Sequence, residues 1–507
     1  MAEPAVGVAR SAALVGLRAV TVTVEVSVSA GLPGFSLIGT TGTAGRQAAD
    51  RVRAALHATG VKLPSRKILA SLAPADVPTG GARFDLALAA ALLVRLGAVA
   101  PSQVADAAFL GELALDGTVR AVTGVLPAAA HLAELGVARL FVADDNLHEA
   151  ALVRAIEIVG VRDLAELIAI VDGSAQPRIV PSASAPSQVQ VHVPDLADVR
   201  GQAEARRALE IAAAGGHHLL LLGPPGCGKS MLATRMVGVL PPLTEQQALE
   251  LTAIRSVAGL LAGSAPLALD RTPPLRAPHH ATTAAALLGG GAGVARPGEI
   301  SLAVHGVLFM DELFEWPRRL LDALREPLEQ GQVRIARARA TVSYPAAFQL
   351  VCAANPCPCG GAGDCECADA EVWAYRRRLS GPLADRIDLA PRLAPLRAQQ
   401  LVATAAGEST ADVAARVHSA RQAARARWGV ANRDATPAAV RATAQPAALQ
   451  TLGRAVESGA LSGRGFDRAL RVARTCADLA GEATVSREQV LEALAHRAAL
   501  RDARVAR

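Results

Sequence analysis

The sequence predicts a multidomain α/β protein: an N-terminal α+β domain, a central P-loop α/β domain with a parallel sheet, and a helical C-terminal domain. Three observations lead there. The apolar run from His217 to Leu222 passes directly into the glycine-rich string GPPGCGKS; short strand-like and helix-like stretches alternate on both sides of it; and beyond residue 394 the text becomes alanine- and arginine-rich with helical spacing. A chain of 507 residues has room for about three to four domains of ~150 residues each. Its 51% hydrophobic and 19% charged content excludes a disordered or collagen-like chain.

In the N-terminal part, Val20 to Val28 alternates as a strand with one wet face does. Ala48, Val52, Ala55 and Leu56 then form one stripe of a helix spanning Gly45 to Gly60. Short strands at Ile68 to Leu72, Leu140 to Val142 and Glu157 to Val159 alternate with helices at Phe84 to Leu96 and Leu126 to Leu135, so residues 1–173 read as one domain. Residues 174–194 shift to Ser, Ala, Pro and Gln, the composition of an exposed tether. Residues 195–394 form the P-loop domain and 395–507 the helical one. The longest clean apolar run, Leu86 to Val94, falls short of the ~18–20 residues that cross a bilayer, so no membrane span is expected. Glu3 and the lack of a basic start argue against a secretory leader, and a cytoplasmic location is expected. Seven cysteines, an odd number, suit a reducing compartment.

The net charge of +6 is unevenly spread: residues 395–507 hold 17 basic and 10 acidic residues, while the rest is nearly balanced. That surplus permits an acidic partner without requiring one. Only Lys62, Lys67 and Lys229 among the 52 basic residues are lysines.

Gly223, Pro224, Pro225, Gly226, Cys227, Gly228, Lys229 and Ser230 follow a buried-strand pattern and precede a helix-like MLATRMVGVL. This is the context in which a GxxxxGK[ST] loop turns backbone N–H groups around phosphates at a helix N-terminus. Lys229 is expected to reach the β and γ phosphates of ATP and Ser230 to ligate Mg2+. A second short apolar run, Val307 to Met310, ends in Asp311 and Glu312. Asp311 is expected to hold the magnesium, and Glu312 to orient and deprotonate the attacking water, which favours hydrolysis over mere binding. Cys227 suggests no chemistry beyond a point of oxidation.

The strings APHHATTAAALLGGG (277–291), RPGEISLAVHGVLFMDELFEW (296–316), LLDALREPLEQGQVRIARARATVSYPAAFQLV (320–351), NPCPCG (355–360) and SGPLADRIDL (380–389) are long and distinctive. With GLPGFSLIG (31–39), DLADVRGQ (195–202) and RALRVARTCADLAG (468–481), the chain resembles the ComM/YifB group of magnesium-chelatase-like AAA+ ATPases over nearly its whole length. The resemblance implies a Lon-protease-like N-terminal domain (ribosomal S5 domain 2-like), an AAA+ core and a helical lid, assembled as a homo-oligomeric, hexameric ring. A third apolar run, Phe348 to Ala354, ends in Asn355, which resembles sensor 1, the AAA+ residue that contacts the γ phosphate and the water; the start of a turn with Pro356 is the alternative. Arg386 in DRIDL resembles an arginine finger serving the neighbouring subunit's site. Arg464 resembles the sensor 2 arginine, with Arg468 and Arg471 close enough in sequence to compete. The alternation VRIARAR resembles a pore hairpin whose Arg334, Arg337 and Arg339 contact DNA phosphates; such contacts ignore sequence and weaken with salt. An exposed charged hairpin is the alternative.

Cys357, Cys359, Cys365 and Cys367 form CxC, five residues, CxC. Four thiolates suit Zn2+, but the usual spacing has two to four residues within each pair, so a structural zinc and an unliganded reduced loop both stay open. A Lon-like domain raises proteolysis, which needs a serine activated by lysine. The corresponding segment, PADVPTGGARFDLALA (74–89), contains no serine; Thr79 is the substitute nucleophile on offer, and Lys62 and Lys67 lie upstream. A non-catalytic platform is expected. The function this sequence favours is an ATP-hydrolysing motor acting on branched or single-stranded DNA, for branch migration in recombination and natural transformation. The alternatives are a chelatase-type motor for metal insertion into a porphyrin and an ATP-binding switch.

Overall fold

The computed structural model describes residues 5–39, 43–75, 77, 81–179, 193–261, 263, 267–291, 295–336, 341–361, 365–396 and 407–502. The tether expected at 174–194 therefore lies largely outside the described residues, as do Thr79, Arg337 and Arg339.

The N-terminal part is a seven-stranded mixed sheet. In chain order its elements are β1 (Val6–Val15), β2 (Arg18–Ser29), β3 (Gly34–Ile38), helix α1 (Thr43–Ala58), β4 (Lys67–Ala73), α2 (Asp85–Arg95), β5 (Ala107–Leu110), α3 (Val125–Glu134), β6 (Arg139–Ala143) and β7 (Glu157–Val161). The strand order is β3-β4-β2-β1-β5-β6-β7, with β2 antiparallel to both β1 and β4. The alternation in β2 sends Val22, Val24 and Val26 into the core. Helix α2 packs against β1 and β2 and is buried from Asp85 to Val94, which is why it reads as an apolar run. Asp85 is the exception in that run. It accepts from Arg51 Nε at 2.7 Å, and burial pushes its carboxyl up to about 6 despite that partner. Lys62 and Lys67 are both exposed.

The central part contains α4 (Ala203–Gly215), β8 (Leu219–Leu222), α5 (Lys229–Val239), α6 (Glu245–Ala258), β9 (Leu275–Arg276), β10 (Val307–Met310), the hairpin β11 (Gln332–Ala336) and β12 (Thr341–Pro345), and β13 (Gln349–Ala354). A parallel sheet runs in the order β8-β13-β10-β9. Leu219 and Leu221 join one hydrophobic cluster and Leu220 and Leu222 another, so the strand is covered on both faces and reads as unbroken leucine. The helices that follow include α7 (Asp369–Arg376), α8 (Thr410–Trp428), α9 (Gly463–Leu479) and α10 (Arg487–Ala495). Helices α8 and α9 pack on α4, and the central and C-terminal segments share one core cluster.

The N-terminal sheet also docks on the central part. Leu14, Val257, Val342 and Tyr344 belong to one cluster, and Gly16, at the β1–β2 turn with φ +67°, leaves room for Val342. Glu149 is buried in the same seam, where it accepts from the Leu126 N–H at 3.0 Å and pairs with Ser256. The base of the β11–β12 hairpin is thus fixed between two parts of the chain.

A buried polar cluster closes the N-terminal end of the parallel sheet. Asp388 accepts from the His218 N–H at 2.9 Å and from Arg468 of α9 at 2.8 Å, and His217 bonds Thr475 of α9 at 2.8 Å. Burial opposes charge on Asp388, yet with His217 and Arg468 beside it the carboxyl is held well below its ordinary 3.8. Burial pushes both histidines below their ordinary 6.5. For all three groups the folded chain binds fewer protons than the unfolded one. Their stabilisation is therefore complete above the unfolded values and is lost as pH falls, first through 6.5 for the histidines and then through 3.8 for Asp388. The cluster's contribution to the thermal midpoint is expected to hold steady above neutrality and to fall on acidification below 6.5, while Asp85, with its raised carboxyl, opposes it below about 6; Asp85→Asn is therefore expected to steepen the acid loss. Asp388→Ala, which strands Arg468, is expected to cost about 3–5 kcal/mol in urea unfolding.

Candidate nucleotide site

Parallel register brings three strand ends to one edge. Leu222 pairs with Ala354 and Met310 with Cys352, so Gly223, Asn355 and Asp311 emerge side by side. The loop from Gly223 bends through Gly226 and Gly228, with φ of +73° and +93°, both left-handed values that favour glycine. Gly223 is small for another reason: a Cβ there would lie 2.7 Å from the Leu393 carbonyl oxygen. Gly228 caps α5, whose first N–H groups have no partner within the helix.

The Lys229 ammonium sits inside this loop. It donates to the carbonyls of Gly223 at 2.7 Å and Pro224 at 2.8 Å, and to Asn355 Oδ1 at 2.9 Å. Burial lowers its pKa, partly offset by Asp311. Ser230 Oγ donates to Asp311 Oδ2 at 2.7 Å. Thus Lys229, Ser230, Asp311 and Asn355, drawn from three separate strand ends, form one connected group. Cys227 is buried and its thiol is pushed up by that burial, so it stays in the less reactive protonated form.

Glu312 follows Asp311 in the left-handed region, at φ +49°, and its carboxylate lies 3.0 Å from His280 Nδ1. Trp316, 1% exposed, donates its indole N–H to the Asp311 carbonyl at 3.0 Å and fixes the end of β10. Neither His280 nor Trp316 figured among the expected site residues, although both stand inside the family-like strings. A doublet of histidines after a proline was the available signal for His280; nothing in the sequence announces its contact with Glu312. Gln202, at φ +52°, is a third addition: its side-chain amide donates to the Cys227 carbonyl at 3.1 Å and to that of Ala394 at 2.7 Å.

The remaining expected residues lie elsewhere. Leu389 bridges Leu219 in parallel, so Arg386, three residues earlier, lies near the start of β8. Four strand residues, roughly 13 Å, separate that end from the phosphate loop. The Arg386 side chain is 6% exposed and engaged by Glu329 and the Pro382 carbonyl. Arg464 is exposed on the first turn of α9, where no hydrogen bond or ion pair holds it among the described residues. Arg468 is committed to Asp388, and Arg471 to the Ala435 carbonyl at 2.9 Å. Arg334 is exposed on β11, with Val333 buried beside it. The four cysteines converge: the sulfurs of Cys357, Cys359, Cys365 and Cys367 all lie within 4.8 Å of one another. Among the described residues no helix is long and apolar enough to cross a membrane.

Comparison with known proteins gives three consecutive family matches. Residues 24–146 match the family described as subunit ChlI of Mg-chelatase, residues 195–401 magnesium chelatase subunit ChlI, and residues 407–497 its C-terminal portion. An uncharacterized protein of Mycobacterium tuberculosis is 46% identical over 503 residues, 97% of this chain and 99% of that one. YifB of Escherichia coli is 40% identical over 493 residues, covering 96% of each chain. The competence protein ComM of Haemophilus influenzae is 39% identical over 500 residues, covering 97% of each.

The loop geometry carries a direct consequence. No atom lies within 4 Å of a Cβ placed on Gly228, so Gly228→Ala meets only the backbone penalty of its φ of +93°. Such a left-handed residue costs about 1–2 kcal/mol. The variant is expected to melt at a slightly lower temperature while binding a fluorescent ATP analogue roughly tenfold more weakly or worse, the two being read by calorimetry and by titration.

Proposed function

The chain belongs to the Mg-chelatase ChlI-like family, homologous to YifB and ComM over nearly its full length, and from that premise we propose that it is an ATP-hydrolysing ring motor that moves on DNA. The observation that carries the reading is the contact of Lys229 with Asn355 and of Ser230 with Asp311 around one phosphate loop. Lys229 exchanges the loop carbonyls for the β and γ phosphate oxygens. The site suits Mg2+, because Ser230 and Asp311 offer adjoining oxygens of the hard type this ion takes. When bound, the ion neutralises charge on the phosphates. Glu312 orients and deprotonates the attacking water, His280 positions Glu312, and Asn355 senses the γ phosphate through its side-chain amide.

Arg386 lies at the end of the sheet away from its own phosphate loop, which supports a role in a neighbour's site and hence an oligomer, six subunits by resemblance. Leaving Glu329 for a neighbour's triphosphate exchanges one anionic partner for a more highly charged one, placed where charge develops during cleavage. Arg464, exposed and unengaged among the described residues, suits a contact from the C-terminal helices to the nucleotide. Arg334 of the clamped hairpin, together with Arg337 and Arg339 of the same VRIARAR string, supplies phosphate contacts to DNA. The competence role in the printed name of the Haemophilus relative supports DNA as the track. The family description favours a second reading, metal insertion into a porphyrin, for which DNA would be irrelevant.

The deciding measurement is the ATPase rate with and without forked DNA. Stimulation by DNA that fades between about 50 and 200 mM salt is expected; a rate indifferent to DNA at low salt sinks the motor reading in favour of the second. Glu312→Gln is expected to bind ATP normally but hydrolyse it roughly a hundredfold more slowly, and Arg386→Ala to lose activity similarly. Activity restored on mixing Arg386→Ala with Lys229→Ala would be the signature of sites shared between subunits; no recovery speaks against sharing. His280→Ala is expected to lower kcat several-fold with little change in the KM for ATP, since it touches Glu312 and no phosphate contact.

A further inference from the structure

Between the end of β13 and the start of α7 the chain carries four cysteines, and the described residues there bury little surface. Of residues 355–361 and 365–368, only Cys357 and Gly360 are buried, and no large apolar side chain is present. A segment this short cannot stabilise itself by burying surface; metal ligation is the usual substitute. The sulfurs of Cys357 and Cys359 are 3.2 Å apart, those of Cys357 and Cys365 3.4 Å, and those of Cys359 and Cys365 3.5 Å. Cys367 completes a set within 4.8 Å. These separations are far beyond the ~2.05 Å of a disulfide. They lie close to the roughly 3.8 Å edge of a tetrahedron whose metal–sulfur bonds are about 2.3 Å. An iron–sulfur cluster interposes several irons and sulfides between its thiolates and would spread them further. Four soft ligands around one small centre select zinc over the hard cations that oxygen ligands take.

We propose that Cys357, Cys359, Cys365 and Cys367 bind one zinc ion and that the resulting knuckle braces the phosphate loop. The bracing follows from where the segment begins and what it touches. Asn355, two residues before the first ligand, receives the Lys229 ammonium. Gly360, whose N–H bonds the Cys357 carbonyl at 3.0 Å, lies against Pro225: a Cβ on it would come 2.9 Å from the proline Cγ. On the other side Arg376 of α7 holds the Pro356 carbonyl at 2.9 Å. The ion therefore fixes a segment that meets the phosphate loop at Pro225 and Lys229 at once. Its donors are sulfurs, separate from the oxygens of Ser230 and Asp311.

The zinc assignment stands independently of the ATP-motor reading, while the bracing rests on the nucleotide site in that reading. Full-length protein purified without chelator is expected to hold about one zinc per chain by plasma mass spectrometry. Exchange for cobalt is expected to give the near-ultraviolet thiolate charge-transfer band of a tetrahedral sulfur site. Cys359 and Cys365 are exposed, so the Cys359→Ser, Cys365→Ser double variant tests ligation with little risk to the core. It is expected to lose zinc affinity by at least about tenfold, whereas Cys227→Ser keeps the full complement. Should the double variant not fold, the wild-type zinc content and cobalt spectrum decide. Zinc-free protein, iron in its place, or zinc retained by a folded double variant overturns the assignment. Releasing zinc with a mercurial is expected to weaken binding of a fluorescent ATP analogue several-fold, with recovery on adding thiol and zinc; unchanged binding overturns the bracing alone. Lys229→Ala, expected to lose nucleotide but keep its zinc, separates failure of the nucleotide site from failure of the metal site.

Discussion

The register of three parallel strands is the constraint on which the rest of the candidate site depends. Leu222, Met310 and Ala354 are the last residues of β8, β10 and β13, and the ladder, which sets Leu222 opposite Ala354 and Met310 opposite Cys352, ends all three at one edge. From that alignment, Gly223, Asp311 and Asn355, separated by 44 to 132 positions in the chain, become neighbours. Each strand is short and buried on both faces, so slipping the register would bury a polar strand end or expose leucine. The chemistry at the edge is held by the hydrophobic burial behind it.

Around that edge the chain accepts local strain and a buried charge that a purely structural sheet would avoid. Gly226 and Gly228 take left-handed backbone, and Glu312 does so with a side chain attached. Lys229 is buried at a cost to its charged state, satisfied by carbonyls and an amide. The Glu312 carboxylate, though exposed, is tied to His280. Of these, the Lys229 contacts are with neutral acceptors, which an anionic oxygen can replace with a stronger, charge-assisted bond.

Much of this was legible in the sequence, because the signals were local. A leucine run followed by GPPGCGKS, and VLFM followed by Asp311 and Glu312, are strand-then-site patterns that need no knowledge of the rest of the chain. The alternation of β2 and the stripe of α1 were likewise readable. Strand β1 was not, because SAALV within it lacks the branched residues and clean alternation that mark a strand; its place comes from the ten-residue ladder with β2. The pairing of His280 with Glu312 joins residues 32 positions apart through a loop. The cysteine spacing, one residue within each pair, departed from the usual zinc pattern, and that the four sulfurs meet is a fact of three dimensions. Arg386 came from resemblance alone, and nothing in its neighbourhood foretold that it would be buried beside Glu329.

The opposite end of the sheet explains how the C-terminal helices are coupled to the strands that carry the site. Asp388 takes hydrogen bonds from the start of β8 and from Arg468 of α9, and Thr475 on the same helix reaches His217. Arg386, two residues before Asp388, gives its carbonyl to that same Arg468 at 3.1 Å. A shift of α9 relative to the sheet must therefore either break a buried charged contact or carry the Arg386 segment with it, and the first is the costlier course. Arg464 sits one turn before Arg468 on α9. The exposed Arg464 and the partly buried Arg468 are thus mounted on one helix, so displacing one displaces the other.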